Sequence, residues 1–201
     1  IPINEQTILD IIIKDLKSYG LYKIFLTINY KSEIIKSYLK EMNYGHQIKC
    51  INEKEPLGTA GSLRLIPEKI NKDTFVVTNC DILTKINYED LIKYHHKNKN
   101  SLTLVTSIKK HVLPYGVYKK DKKGKFLEII EKPSHKYNVN IGIYVLEREC
   151  IKLIPKNKKF DMTDLIKIMK RKKFKIGNFN INEKNWQDVG NWNEFSKLKI
   201  S

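Results

Sequence analysis

The chain has 201 residues and a mass of 23.7 kDa, the size of one domain around one sizeable core. Hydrophobic residues at 41% and charged residues at 30% exclude a disordered or fibrous chain, and apolar runs such as Ile11–Ile13 and Thr74–Thr78 fall far short of the ~18 residues that span a bilayer. The net charge of +16 invites a nucleic-acid partner, but the only arginines are Arg64, Arg148 and Arg171 and the lysines spread over almost every segment, which fits a lysine-rich coding bias and a small anionic substrate better than clustered base-reading forks.

Thr7–Tyr19 carries apolar residues at Ile8, Leu9, Ile12, Ile13 and Leu16, a helical stripe ended by Gly20. Lys23–Ile28 reads as a short buried strand, and Ile34, Ile35, Tyr38 and Leu39 mark a second amphipathic helix before Asn43-Tyr44-Gly45. Gln47–Glu53 is again strand-like, Leu57–Leu65 opens on glycine as a helix, and Thr74–Thr78 is a β-branched strand ending in Asn79-Cys80-Asp81. Tyr88–His96 is predicted helical with Asn87 as its N-cap. This alternation predicts an α/β domain with a mostly parallel sheet, whose ligands gather at the carboxyl ends of the strands.

Beyond residue 100 strands follow one another: Leu102–Ile108, Gly116–Lys119, Lys125–Glu131 and Val139–Leu146, with Lys122-Lys123-Gly124 as a hairpin loop. Short helices are predicted at Glu147–Ile154 and Met162–Arg171, a late strand at Lys175–Ile181, and Trp186–Val189 ahead of a final helix from Asn191. No repeat and no Pro, Gly or Ser-rich linker interrupts the chain, so residues 1–201 read as a single domain whose second half adds a mixed-sheet substrate lobe. Cys50, Cys80 and Cys150 are widely spaced without a Cys-x-x-Cys pair, which argues against a zinc site or disulfide framework and for a reducing, cytoplasmic setting. The start at Ile1, without methionine or leader, reads as part of a longer reading frame.

Each candidate for chemistry has an ordinary structural use as well. Asp81 follows a strand directly, where a metal or nucleotide would sit, or where an aspartate merely caps a turn. Gly58 and Gly61 let backbone approach a ring or a phosphate closely, or simply start a helix. Glu131-Lys132-Pro133 projects a carboxylate and an ammonium at a strand end, suited to a sugar hydroxyl and a phosphate or to an exposed ion pair. Asn140 suits a hydroxyl or a turn, and Asp188 a second metal carboxylate or a helix cap. His95 and His96, being adjacent, share no helix face and read as surface residues; Lys158-Lys159 and Lys170–Lys173 read as solvated faces.

In order, Pro56-Leu57-Gly58-Thr59-Ala60-Gly61, Asn79-Cys80-Asp81, Pro114-Tyr115-Gly116-Val117, Glu131-Lys132-Pro133, Val139-Asn140-Ile141-Gly142-Ile143-Tyr144 and Trp186-Gln187-Asp188-Val189-Gly190 resemble the motif series of the sugar-1-phosphate nucleotidylyltransferases. The resemblance covers nearly the whole chain. It implies a Rossmann-like, glycosyltransferase-A-type three-layer α/β fold with a mixed, mostly parallel sheet and a small substrate-binding β lobe. Residues 1–100 would form the nucleotide-binding half and 101–201 the sugar-phosphate-binding half. By the same resemblance Leu57, Gly58, Thr59, Asn79 and Asp81 would bind the nucleotide, Asp81 and Asp188 would hold Mg2+, Lys132 would bind the sugar phosphate, and Gly116, Glu131 and Asn140 would contact the sugar. Asp81, Lys132 and Asp188 would then be the catalytic set.

The implied reaction is in-line attack of a sugar-phosphate oxygen on the α-phosphorus of a nucleoside triphosphate, with pyrophosphate leaving. The Pro-Leu-Gly-Thr-Ala-Gly loop resembles the guanylyltransferase branch, making GTP the first choice. The sugar is left open among mannose, glucose, a heptose and glucosamine; Cys80, where the family commonly has glycine, resembles a subgroup working on bacterial surface-sugar precursors and tips the choice toward a hexosamine. The family's first strand and its G-x-G-x-R loop have no counterpart here, so the chain is expected to be N-terminally truncated and a poor enzyme as given. A non-catalytic regulatory paralogue is the alternative. No membrane or nucleic-acid partner is expected, and a homo-oligomer is left open.

Overall fold

The computed structural model describes residues 2–3, 6–44, 48–68, 70 and 73–190. A short antiparallel pair, β1 (Pro2–Ile3) with β2 (Gln6–Thr7), leads into α1 (Ile8–Ser18). Thr7 caps α1 reciprocally: its Oγ1 accepts from the Asp10 amide at 3.2 Å while Asp10 Oδ2 accepts from the Thr7 amide at 3.1 Å. The predicted stripe is the buried face, with Ile12, Ile13 and Leu16 inside, and Gly20 takes a φ of +77° just past the helix end. β3 (Ile24–Ile28), α2 (Ser32–Glu41) and β4 (Ile48–Asn52) follow, and β3 pairs with β4 in parallel.

The glycine loop forms α3 (Gly58–Gly61) and continues as a 3-10 turn over Ser62–Leu65, tighter than the single helix predicted. Next come β5 (Thr74–Thr78), β6 (Ile82–Thr84) and α4 (Tyr88–Lys97), where Asn87 Oδ1 caps the Asp90 amide at 3.1 Å. β7 (Leu102–Val112), β8 (Val117–Lys120), β9 (Phe126–Ile130), β10 (Ser134–Glu147), α5 (Arg148–Ile151), α6 (Met162–Arg171), β11 (Ile176–Ile181) and β12 (Trp186–Asp188) complete the described chain. The helix expected from Asn191 lies outside the described residues.

The central sheet runs β11-β7-β10-β5 and is mixed: β11 is parallel to β7, while β10 is antiparallel to both its neighbours. Among the described residues parallel pairing occurs in β11–β7 and β3–β4, because β10 returns from the β8–β9 ribbon against the direction of β7. The alternation of β10 builds three layers. Ile141, Ile143 and Val145 pack with α1 and α4 through Ile12, Leu16, Tyr88 and Leu91. Tyr144 and Leu146 face the other way, onto Ala60, Leu63, Met162, Leu165 and Met169 of α3, the 3-10 turn and α6.

One buried position departs from expectation. His96 is exposed, but His95 is 1% exposed, because residues 88, 91 and 95 make the inner stripe of α4. Its Nε2 lies 2.9 Å from Glu147 Oε1 and its Nδ1 2.8 Å from Thr103 Oγ1, a pairing across the sheet that local spacing does not show.

Candidate active site

Asp81 and Asp188 lie at one point of the fold. β6 and β12 pair antiparallel with Asp188 opposite Ile82, and the Val189 amide donates to the Asp81 carbonyl at 2.9 Å, so the ladder carries Asp188 beside the turn that ends β5. A Cβ on Gly190 would stand 2.7 Å from Asp81 Oδ2 and 3.2 Å from Asp188 Oδ1. Only a glycine leaves both carboxylates room there, and the Gly190 amide donates to Asp188 Oδ1 at 3.0 Å. Two converging carboxylates, one exposed and one half-buried, form a hard-oxygen donor pair whose remaining coordination water and phosphate oxygens could fill, which fits magnesium. Among the described residues no third His, Cys, Asp or Glu joins them.

The same turn holds Asn79 against β10. The ladder of β10 with β7 bulges between Asn140 and Tyr144, and Gly142 at the bulge has a φ of +81°. A Cβ there would meet Asn79 Nδ2 at 2.8 Å, and the Asn79 amide donates to the Gly142 carbonyl at 3.3 Å. Asn140, expected at a strand start, instead sits inside the long β10 at this bulge, where its Nδ2 donates to the Tyr144 hydroxyl at 2.6 Å and its Oδ1 accepts from the Gly142 amide at 3.3 Å. Burial raises the Tyr144 phenol above its usual range, so it is neutral and accepts from Asn140. Desolvation and then the neighbouring Asp81 carboxylate push the Cys80 thiol up, keeping it protonated.

A cleft of about 1190 Å³ is lined by Gly58, Thr59, Asn79 and Asp81 together with residues of β3 and β5. β3 pairs only with β4 and β5 only with β10 among the described residues, so each strand turns an open edge toward this space. Glu53, which the sequence reading passed over, also lines the cleft and accepts from the Leu57 amide through Oε2 at 2.9 Å, bracing the start of the glycine loop. The only sequence signal for it was a carboxylate at the end of a strand.

Gly116, Glu131 and Lys132 form a second group, at the base of the β8–β9 ribbon. A Cβ on Gly116 would meet Glu131 Oε2 at 3.1 Å, and the Lys132 amide donates to the Tyr115 carbonyl at 3.2 Å. Among the described residues no hydrogen bond or ion pair joins this group to the aspartate pair.

A three-layer α/β fold with a mixed sheet, a glycine-started helix beside a cleft and paired carboxylates at a strand end is a Rossmann-like arrangement. The chain belongs to the nucleotidyl transferase family, whose profile matches residues 1–200. It is 34% identical over 142 residues to a probable mannose-1-phosphate guanylyltransferase of Oryza sativa, covering 67% of this chain and 39% of that protein. It is 31% identical over 191 residues to the mannose-1-phosphate guanyltransferase of Saccharomyces cerevisiae, covering 91% of this chain and 52% of the yeast protein. The chain thus spans about half the length of its curated relatives or less, and the similarity runs to the guanylyltransferase-like side of the family. HddC from Yersinia pseudotuberculosis, solved as a complex with GMP-PN, superposes with a TM-score of 0.75 at 21% identity, covering 99% of this chain and 87% of that one, a likeness of fold.

Proposed function

We propose that the protein is a cytoplasmic sugar-1-phosphate nucleotidylyltransferase that joins GTP to a hexose or hexosamine 1-phosphate, releasing pyrophosphate, for surface-glycan synthesis. The observation that carries the reading is the convergence of Asp81 and Asp188 on Gly190, with Asp81 lining the same cleft as Gly58 and Thr59. Magnesium held by the two carboxylates would supply charge neutralisation at the triphosphate. The remaining catalytic contribution is positioning, because the attacking group is already an oxyanion and needs no general base.

Leu57, Gly58, Thr59 and Asn79 would seat the nucleotide, Lys132 the sugar phosphate, and Gly116, Glu131 and Asn140 the sugar ring. Glu53 supports guanine. Among the described residues its Oε1 has no hydrogen-bond partner, and it can accept from the N1–H and N2–H edge of guanine, whereas the single imide N–H of uracil or thymine is flanked by carbonyls that a carboxylate repels. The rice and yeast relatives are named for mannose 1-phosphate, which therefore heads the panel of sugars to try.

The open edges of β3 and β5 support the reading of residues 1–201 as a domain lacking one strand. Among the described residues each of the two strands has no ladder partner on the side of the shared cleft, and one further strand, carrying the Gly-rich triphosphate loop at its end, would pair with both.

The test presents each nucleoside triphosphate, with magnesium and a panel of sugar 1-phosphates, to the chain extended by its upstream coding segment, and measures pyrophosphate release. GTP turnover is expected. No release with any pair overturns the enzyme reading in favour of the regulatory one, and an upstream segment without G-x-G-x-R overturns the missing-strand reading.

A further inference from the structure

The loop that would seat the nucleotide is held from outside by residues more than half the chain away. Asp161 occupies the N-cap of α6, yet its side chain makes no hydrogen bond to its own helix. Its Oδ1 accepts instead from the Thr59 amide at 3.1 Å, with the Thr59 hydroxyl a longer 3.5 Å away. Thr59 returns the exchange: its Oγ1 accepts from the Met162 amide, the first of α6, at 2.9 Å. Each of two helix starts is therefore capped by a side chain from the other. Backbone bonds run alongside, from the Ala60 and Gly61 amides to the Phe160 carbonyl at 3.0 and 2.9 Å and from the Phe160 amide to the Leu57 carbonyl at 2.8 Å.

The exchange explains Gly58. At a φ of +77° its missing Cβ would stand 2.6 Å from Asp161 Oδ1 and 2.9 Å from the Phe160 carbonyl, so the carboxylate occupies the space a side chain would take. The other end of the tie is rigid, since Met162, Leu165 and Met169 of α6 are buried against Tyr144 and Leu146 of the central sheet.

We infer that Asp161 is a positioning residue for the nucleotide: acting through Thr59, it holds the Gly58 loop in the shape that receives the base. The inference rests on the function proposed above. An aspartate at a helix start normally caps its own helix, and diverting it leaves that helix dependent on Thr59, so neither residue can be lost without loosening the loop.

GTP with magnesium, and separately mannose 1-phosphate, are titrated into the chain extended by its upstream coding segment and into its Asp161→Ala, Asp161→Asn and Thr59→Val variants, with amide hydrogen exchange measured on the same proteins without ligand. Asp161→Ala and Thr59→Val are expected to weaken GTP binding about tenfold, the scale of a lost cap, and to leave mannose 1-phosphate unchanged. Asp161→Asn should stay within about twofold of the parent, since the amide oxygen accepts from the same N–H. Exchange at Thr59, Ala60 and Gly61 should quicken in Asp161→Ala and return in Asp161→Asn.

Unchanged GTP affinity in Asp161→Ala, or equal loss of both ligands, overturns the positioning role. Unchanged exchange at those amides overturns the tie itself, and does so whether or not nucleotide binds. Should Asp161→Ala fail to fold, Thr59→Val still tests the tie through ligand-free amide exchange at Ala60 and Gly61 and at the start of α6. Faster exchange in an unaltered fold, with no GTP binding by the extended parent protein, would overturn the proposed function and leave the tie standing.

Discussion

The aspartate end and the β8–β9 ribbon hold their groups in opposite ways. Asp81 and Asp188 come from distant segments and are fixed by the β6–β12 ladder, the Val189 to Asp81 backbone bond and the bulge beneath Asn79. Gly116, Glu131 and Lys132 come from one local hairpin whose two strands pair with each other and with no other strand among the described residues. Its residues Tyr118, Phe126 and Ile129 are all exposed. The physics differs accordingly. Two carboxylates repel until a cation joins them, so stiff backbone must impose their approach, whereas one lysine on a long stem can follow an anionic group from an exposed turn.

The sharpest way to break the comparison is at the stiff end. Asp81→Asn or Asp188→Asn in the extended enzyme should lower kcat by about a thousandfold, some 4 kcal/mol, while leaving the melting temperature unchanged or slightly raised, because the repulsion is relieved. Near-normal pyrophosphate release from either variant would remove the metal assignment. At the ribbon, Lys132→Ala should raise the KM for sugar 1-phosphate about 10- to 100-fold, roughly 1.4–2.7 kcal/mol, with no change in the KM for GTP. Lys132 has a φ of +45°, so Lys132→Gly should lose the same affinity yet melt no lower than the parent. A matching rise in both KM values would assign the ribbon a structural role only.

The smallest expected effect lies away from both groups. Burial, opposed in part by the Glu147 carboxylate, lowers the His95 pKa below its ordinary 6.5, so the folded chain binds this proton less readily than the unfolded chain. The contribution of this group is fully present above about pH 6.5 and declines as the pH falls below it. Melting temperatures between pH 7.5 and 5 should drop more for the parent than for His95→Gln. Parallel curves for the two proteins would show that His95 does not govern the acid side.

Much of the architecture was legible because its signals are local. The β-branched run at 74–78 and the stripe at 162–171 became β5 and α6 with those bounds, and Asn87 caps α4 as its residue type predicts. β6 went unread because a three-residue strand, Ile82–Thr84, has too few positions for an alternation; only pairing with β12 makes it a strand. His95 was misplaced for a related reason: the stripe that buries it was visible, but its partners Thr103 and Glu147 lie on other strands.

The site divides in the same way. The order of short motifs by itself determined the family resemblance and picked out the two aspartates and the glycine loop, because close backbone approach and a carboxylate at a strand end each restrict residue type at their positions. Tertiary structure alone decided that Asp81 and Asp188 meet over Gly190, that Asn140 sits on a bulge within β10, and that Asp161 serves Gly58 and Thr59 rather than its own helix. A carboxylate reads alike in sequence whether it caps its own helix or another, since its bond is chosen by what the packed layers bring within about 3 Å.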